Sequence, residues 1–238
     1  MLNLVILIAE LRSKYDVVLV TSGAVMAGYT ALKIDRNKPI SKKVLASAGQ
    51  PILMSSYKKK FDIYDIDTAQ ILLTEEDFDS IKRTNIFAQI IDMLLKEGVI
   101  PIVNENDIST TPEQVFGDND QLSANVTYAT DSELLVILSD IDGYYDKNPK
   151  KFKDATIRKF VTKLTEEELN QQEDANHKFA TGGIVTKLKA ADFLLSRNKE
   201  MFLCNGYDLS TVTDFLLNDH HDKGTYFTKK QVDIKTKV

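Results

Sequence analysis

The sequence contains a single cysteine, Cys204, so it cannot close an internal disulfide, a usage that fits a reducing compartment. That lone thiol reads as a small buried hydrophobe rather than a reactive group. Basic charge is also short. Thirty Lys and Arg against 35 Asp and Glu leave a formal net charge of −5, which disfavours binding to a nucleic-acid backbone. No apolar run is long enough to cross a bilayer. The apolar opening MLNLVILIAELRSKYD is broken by Glu10, Arg12 and Lys14, and it lacks the basic start and small-residue cleavage site of a secretory signal. No membrane association and a cytoplasmic location are therefore expected. Histidine is scarce. His177, His220 and His221 have no Cys or carboxylate partners at zinc spacing, and the adjacent pair is expected at the surface. Repeats, low-complexity linkers, GxxxxGK[ST] and GxGxxG are all absent.

What is present is an alternation of helix-like and strand-like segments. At 238 residues and 43% hydrophobic composition, the chain can bury a substantial core as one large α/β domain or two small ones. Leu4, Leu7, Ile8 and Leu11 fall at helical spacing, so the chain opens on an amphipathic helix. DVVLV (Asp16–Val20), TAQILLT (Thr68–Thr74), VIPIV, ELLVILSD and EMFLCNG read as buried strands. Between them, SKKVLASAGQPILMSSYKKKF reads as helical with an interruption near Pro51, and DSIKRTNIFAQIIDMLLKEG as an amphipathic helix. QLSANVTYATDS and GGIVTKLKAADFLLSRN are further helices, and Thr165 with Glu168 forms a capping-box pattern. The final KKQVDIKTKV reads as a solvated edge or tail. The alternation predicts a three-layer αβα sandwich with a mainly parallel central sheet, in which ligands bind beyond the carboxyl ends of the strands. Thr21–Gly23, Asn104–Asp107 and Ser139–Asp140 each follow a strand.

The densest polar stretch is NENDISTTPEQVFGDND, directly after an apolar strand. A metal cage, a solvated loop and a substrate pocket would each use such residues. Asp118, Asn119 and Asp120 lack the spacing of a calcium loop, which argues against the first. TGGIVTK (Thr181–Lys187) pairs glycines with a helix start and a lysine, an arrangement that suits an anion but also a plain N-terminal turn. SDIDGYYDKNP suits either a nucleotide frame or a structural turn.

In order, VTSGAVMAG, PIVNEND, FGDNDQLSA, LSDIDGYYDKNP and TGGIVTKLKAA resemble the glutamate 5-kinases of the amino acid kinase family, across about Asp16 to Phe227. The resemblance implies phosphorylation of the γ-carboxylate of L-glutamate by ATP with Mg2+, the first step of proline biosynthesis. Ser22, Gly23, Asp107, Asp118 and Asn119 would bind glutamate. Ser139 and Asp140, with Thr181, Gly182, Gly183, Ile184, Val185, Thr186 and Lys187, would hold ATP. Lys187 would lie on the transferred phosphoryl group, and Asp120 would orient catalytic lysines rather than act as a base. Chemistry agrees with these roles. The acceptor carboxylate is already ionised near neutral pH, so positioning and positive charge dominate. A carboxylate and an amide carbonyl suit an ammonium group, whereas Asp107 or Asp118 beside the phosphate would repel it.

The resemblance also implies a single kinase domain, with about residues 1–124 forming the amino-acid-binding lobe and about 125–238 the nucleotide-binding lobe, and no C-terminal accessory domain. Feedback by proline, sensed by the loop Ile108–Phe116, and assembly into a dimer or tetramer are implied as well. Family members begin with a strand ending in Lys-x-Gly-Ser/Thr. This chain shows no such motif, and Lys14 precedes a different strand, so an N-terminally incomplete version of a longer protein is expected. Two other readings share these motifs: another family kinase acting on aspartate, acetylglutamate or UMP, and a catalytically silent amino-acid-binding protein.

Overall fold

A computed structural model describes residues 1–35, 37–110, 119–170 and 183–230. The chain divides into two compact units, Met1–Leu122 and Ser123–Val238.

The first unit comprises α1 (Leu2–Leu11), β1 (Leu19–Val20), α2 (Ala24–Ala31), α3 (Pro39–Phe61), β2 (Thr68–Leu73), α4 (Ile81–Lys96) and β3 (Ile100–Glu105), and it includes the start of α5 (Asn119–Ala129). Val5, Leu7, Ile8 and Leu11 are the buried residues of α1, and Leu4 is partly buried against the same core. The sheet order is β1-β3-β2, with both pairings parallel. The central strand β3 is buried along all six residues, which is why VIPIV reads as one unbroken apolar run. β1 is shorter than the expected Asp16–Val20 strand. Only Leu19 and Val20 pair with Ile102 and Val103, while Val17 packs against the core without joining the ladder.

The interruption expected near Pro51 does not occur, and α3 runs unbroken for 23 residues. Pro51 removes one main-chain donor, a loss of about 3 kcal/mol in an isolated helix. Leu45, Gly49, Leu53, Tyr57 and Phe61 repeat every four residues as one buried stripe, and that packing offsets the loss. α2 and α3 cross at van der Waals distance between backbones. A Cβ on Gly28 would lie 1.9 Å from the Leu45 carbonyl oxygen, and one on Gly49 would lie 1.8 Å from that of Ala24. Only glycine fits at either place.

The second unit contains the rest of α5, β4 (Leu134–Ser139), β5 (Phe160–Val161), α6 (Glu166–Leu169), α7 (Ile184–Ser196), β6 (Glu200–Asn205), α8 (Ser210–Leu217) and β7 (Thr225–Phe227). Its sheet order is β4-β6-β7-β5, parallel except for the antiparallel β6–β7 pair. Leu188, Ala191 and Leu194 of α7 pack with Met201 and Leu203 of β6 in the core. Cys204, the next residue of β6, is buried as expected, and burial pushes its thiol up to about 12.

The capping box at Thr165 forms: Glu168 N–H donates to Thr165 Oγ1 at 3.3 Å, and Thr165 N–H donates to Glu168 Oε2 at 2.7 Å. Glu168 also accepts from Tyr144 Oη at 2.7 Å and from Arg158. Burial alone would raise this carboxyl; the Thr165 N–H, Tyr144, Arg158 and the Thr165 hydroxyl together outweigh it and hold the group at about 2. His221 corrects an expectation. His220 is exposed, but His221 is 4% exposed, edge-on to Phe160, Phe202 and Phe215 at ring distances of 4.9, 5.5 and 5.4 Å. Those rings come from β5, β6 and α8, and burying them together draws the histidine inward.

Candidate active site

The apolar strand β1 ends in a polar turn. Thr21 continues its ladder, donating its N–H to Val103 O at 2.9 Å, and its hydroxyl lies 2.9 Å from Tyr57 Oη. Ser22 and Gly23 are exposed, and Gly23 caps α2 at φ 104° and ψ 6°. That positive φ favours glycine, and a Cβ there would touch nothing. The turn leads directly into the first N–H groups of α2, a place where an anionic group is stabilised.

On the face of β3 that carries Ile100 and Ile102 towards the core, the next residue at a spacing of two is Asn104. It is 3% exposed and donates through Nδ2 to Gln50 Oε1 at 2.9 Å. Its Oδ1 accepts from Asn119 Nδ2, also at 2.9 Å, and Asn119 Nδ2 donates to the Thr21 carbonyl as well. The turn after β1, the end of β3 and the start of α5 are thereby joined. Just beyond β3, a small depression open to solvent is lined by Ala46, Gln50, Leu72, Glu105, Asn106, Asp107 and Ile108. The ionisable groups in this lining are two carboxylates, Glu105 and Asp107. Burial pushes the Asp107 carboxyl above its ordinary range, and the charge of Lys43 pulls part of the way back. Lys43 itself, on α3, donates to the carbonyls of Ile108, at 2.9 Å, and Thr110. Asp120 sits in the first turn of α5, where an acidic residue suits the positive end of the helix.

In the second unit, β4 and β6 run side by side and parallel, so their carboxyl ends lie at the same edge. β4 ends in buried Ser139, whose hydroxyl donates to Asp140 Oδ1 at 3.1 Å; Asp140 is exposed. β6 ends in Asn205, which donates to Asp142 Oδ1 at 2.7 Å, and the following Gly206 N–H donates to Ser139 O at 2.7 Å. Tyr207 comes next and is 86% exposed. α7 begins at Ile184 after Gly183, with no acidic residue in its first turn. Thr186 Oγ1 donates to Gly183 O at 2.7 Å, and Lys187 is 7% exposed. A buried lysine near the positive end of a helix runs against the usual charge preference, a pattern that suits an anion.

Within the first unit, Asn119 is thus linked directly to the Thr21–Gly23 turn, and Asp107 lies in the cleft that Gln50 also lines. Asp118, Thr181 and Gly182 lie outside the described residues, as do His177 and most of the Ile108–Phe116 loop. Gln50, Gln70, Asn205 and Tyr207 did not stand out in the sequence. A polar residue inside an apolar strand, as in TAQILLT, was the available signal for Gln70. Among the described residues, no group of three or more His, Cys, Asp or Glu is arranged to hold a metal ion.

The profile of the amino acid kinase family matches residues 1–205. The glutamate 5-kinase of Helicobacter hepaticus is 52% identical over 221 residues, covering 93% of this chain and 84% of that protein. The glutamate 5-kinase of Wolinella succinogenes is 52% identical over 227 residues, covering 93% of this chain and 87% of that one. Among solved structures, carbamate kinase from Giardia lamblia bound to AMP-PNP aligns with a TM-score of 0.63 at 17% identity, over 96% of this chain and 90% of that chain. At that identity the likeness speaks for the fold alone, and the fold is the expected α/β one. The two glutamate 5-kinases speak for more: the chain belongs to the amino acid kinase family, in its glutamate 5-kinase branch.

Proposed function

We infer that the chain carries ATP-dependent glutamate 5-kinase activity, transferring the γ-phosphoryl group of ATP to the γ-carboxylate of L-glutamate. The observation that carries the substrate half of this reading is the sign of the cleft beyond β3, where the ionisable lining residues are both carboxylates. Such a lining attracts an ammonium group and repels a phosphate. Asp107 would accept from the α-ammonium, and so would the Asn119 carbonyl oxygen. The N–H groups following Ser22 and Gly23 would receive a carboxylate of the substrate.

ATP would be taken by the second unit, with Ser139 and Asp140 at the end of β4 and the start of α7 holding the phosphates. Lys187 would neutralise charge on the transferred group, which carries much of the work in a reaction needing little proton transfer. Asp120 would act as an organiser of lysine side chains. Mg2+ would arrive as part of the nucleotide substrate, screening the phosphates so that two anions can approach in line. Proline feedback, a homo-oligomer and a cytoplasmic location belong to the same proposal; no described helix is long and apolar enough to cross a membrane.

The test is ADP release by the full chain with L-glutamate, L-aspartate, N-acetyl-L-glutamate and UMP offered separately. Release with glutamate alone is expected, and a preference for any of the others would overturn the substrate assignment. Lys187→Ala is expected to abolish turnover while glutamate binding, followed by calorimetry, stays within about three-fold of wild type. Loss of glutamate binding with turnover preserved would contradict the role given to Lys187.

A further inference from the structure

Four carboxamides in the first unit stand head to tail. Asn119 Nδ2 donates to Asn104 Oδ1 at 2.9 Å, Asn104 Nδ2 to Gln50 Oε1 at 2.9 Å, and Gln50 Nε2 to Gln70 Oε1 at 3.1 Å. A carboxamide has nearly the same shape with either end forward, so such a row has two possible senses. Thr21 removes the choice. Its main-chain carbonyl can only accept, so the Asn119 atom facing it must be the amide nitrogen. The Asn104 atom facing that nitrogen must then be oxygen, and every later link follows in turn.

The row is held at its Thr21 end and again at Gln50, and only its last member, Gln70, is exposed. Thr21 is fixed by its bonds to Val103 and to Tyr57 of α3. Gln50 follows Gly49, whose backbone lies against Ala24 and Gly28 of α2. Between them Asn104 is almost fully buried, so water does not compete for its two ends.

With its amide nitrogen committed to Thr21 and Asn104, Asn119 can offer a ligand only Oδ1, an acceptor. We propose that Thr21, through its main-chain carbonyl, and Asn104, held from behind by Gln50, are positioning residues that keep the Asn119 carboxamide oxygen outward, so that the site takes a protonated amino group and rejects the same amino acid acylated on nitrogen. The proposal rests on the assignment of Asn119 to the substrate amino group. An acylated nitrogen has lost its charge and keeps one N–H, and its carbonyl would oppose another oxygen. Asn119 alone does not set this preference, because unconstrained it would turn its nitrogen outward for the acylated substrate. The Thr21 carbonyl makes the choice, and buried Asn104, backed by Gln50, keeps it.

Calorimetric titration of the full chain with L-glutamate tests the relay. Gln50→Leu removes the acceptor for Asn104, and its affinity is expected to fall about 10-fold, the effect of one misdirected hydrogen bond. Gln50→Glu still accepts from Asn104 and is expected to bind within about three-fold of wild type. The double variant of Gln50→Leu with Asn119→Ala should bind no more weakly than Asn119→Ala alone. Additive losses would overturn the relay, because Gln50 would then be touching glutamate itself. Wild-type affinity in Gln50→Leu would overturn it equally. Should Gln50→Leu fail to fold, a 10-fold loss in Gln50→Glu serves as the contrary result. Unchanged affinity in Asn119→Ala is a separate outcome, and it would remove the assignment of Asn119 to the amino group on which the relay depends.

Discussion

Gly49→Ala adds one methyl group, and the structure makes that methyl unusually disruptive. Its carbon would stand 1.8 Å from the Ala24 carbonyl oxygen and 2.3 Å from the Gly28 nitrogen. Both are backbone atoms and cannot swing aside. An ordinary carbon–oxygen approach is about 3.3 Å, so α2 and α3 would have to part by about 1.5 Å. Overpacking a core commonly costs about 1–3 kcal/mol, and a forced separation of two helices belongs at the upper end or beyond. For a chain of 238 residues, about 3 kcal/mol corresponds to a fall in Tm of about 6–12 °C. Thermal unfolding of the full chain followed by far-ultraviolet circular dichroism reads this directly. Gly23→Ala supplies the contrast, since its added carbon meets nothing and only the positive φ is unfavourable, at about 1–2 kcal/mol. Gly49→Ala should therefore melt well below Gly23→Ala. A Gly49→Ala protein melting with the wild type would refute the close crossing of α2 and α3.

Three further outcomes follow from the titratable groups. Glutamate binding needs Asp107 ionised, and burial raises its carboxyl, so affinity should weaken as pH falls through a window above the ordinary Asp value; Asp107→Asn should bind at least about 10-fold more weakly and lose that dependence, as titrations at stepped pH would reveal. Glu168 is depressed to about 2, so its stabilisation is complete above its ordinary value of 4.5 and disappears as pH falls from there towards 2. Urea unfolding should show Glu168→Gln about 2 kcal/mol less stable at pH 7, with the gap closing in acid; a gap that persists there would contradict the donor set. Cys204, with its thiol near 12, should resist iodoacetamide at pH 8 in the native protein and react after unfolding, whereas rapid native labelling would contradict its burial.

Periodicity carried the long elements. α1, α4, β2, β3, β4 and α7 were legible because each repeats apolar residues over enough positions to show its period, and the parallel α/β class followed. β5 and β7 have two and three residues and show no period at all. Pro51 misled because its local effect is visible in sequence, while the four-residue stripe that overrides it acts through partners elsewhere in the chain. His221 misled for the same reason, since its aromatic neighbours are 5 to 61 residues away in the chain. Resemblance pointed to Asn119 and Asp107, yet not to the amides behind Asn119. Gln50 lies on a helix and Gln70 on a strand, and only the packing of α3 on the sheet makes them neighbours.

Lys43 ties Ile108 and Thr110 to α3 through carbonyl oxygens rather than carboxylates. Such a charge–dipole tether acts over a few ångströms, so dissolved ions have little room to weaken it. Attraction between a cleft carboxylate and an approaching ammonium reaches farther and is screened. Ionic strength therefore separates two properties that adjoin in this chain: the seating of the segment after Asp107 persists in brine, while the pull it helps to present fades.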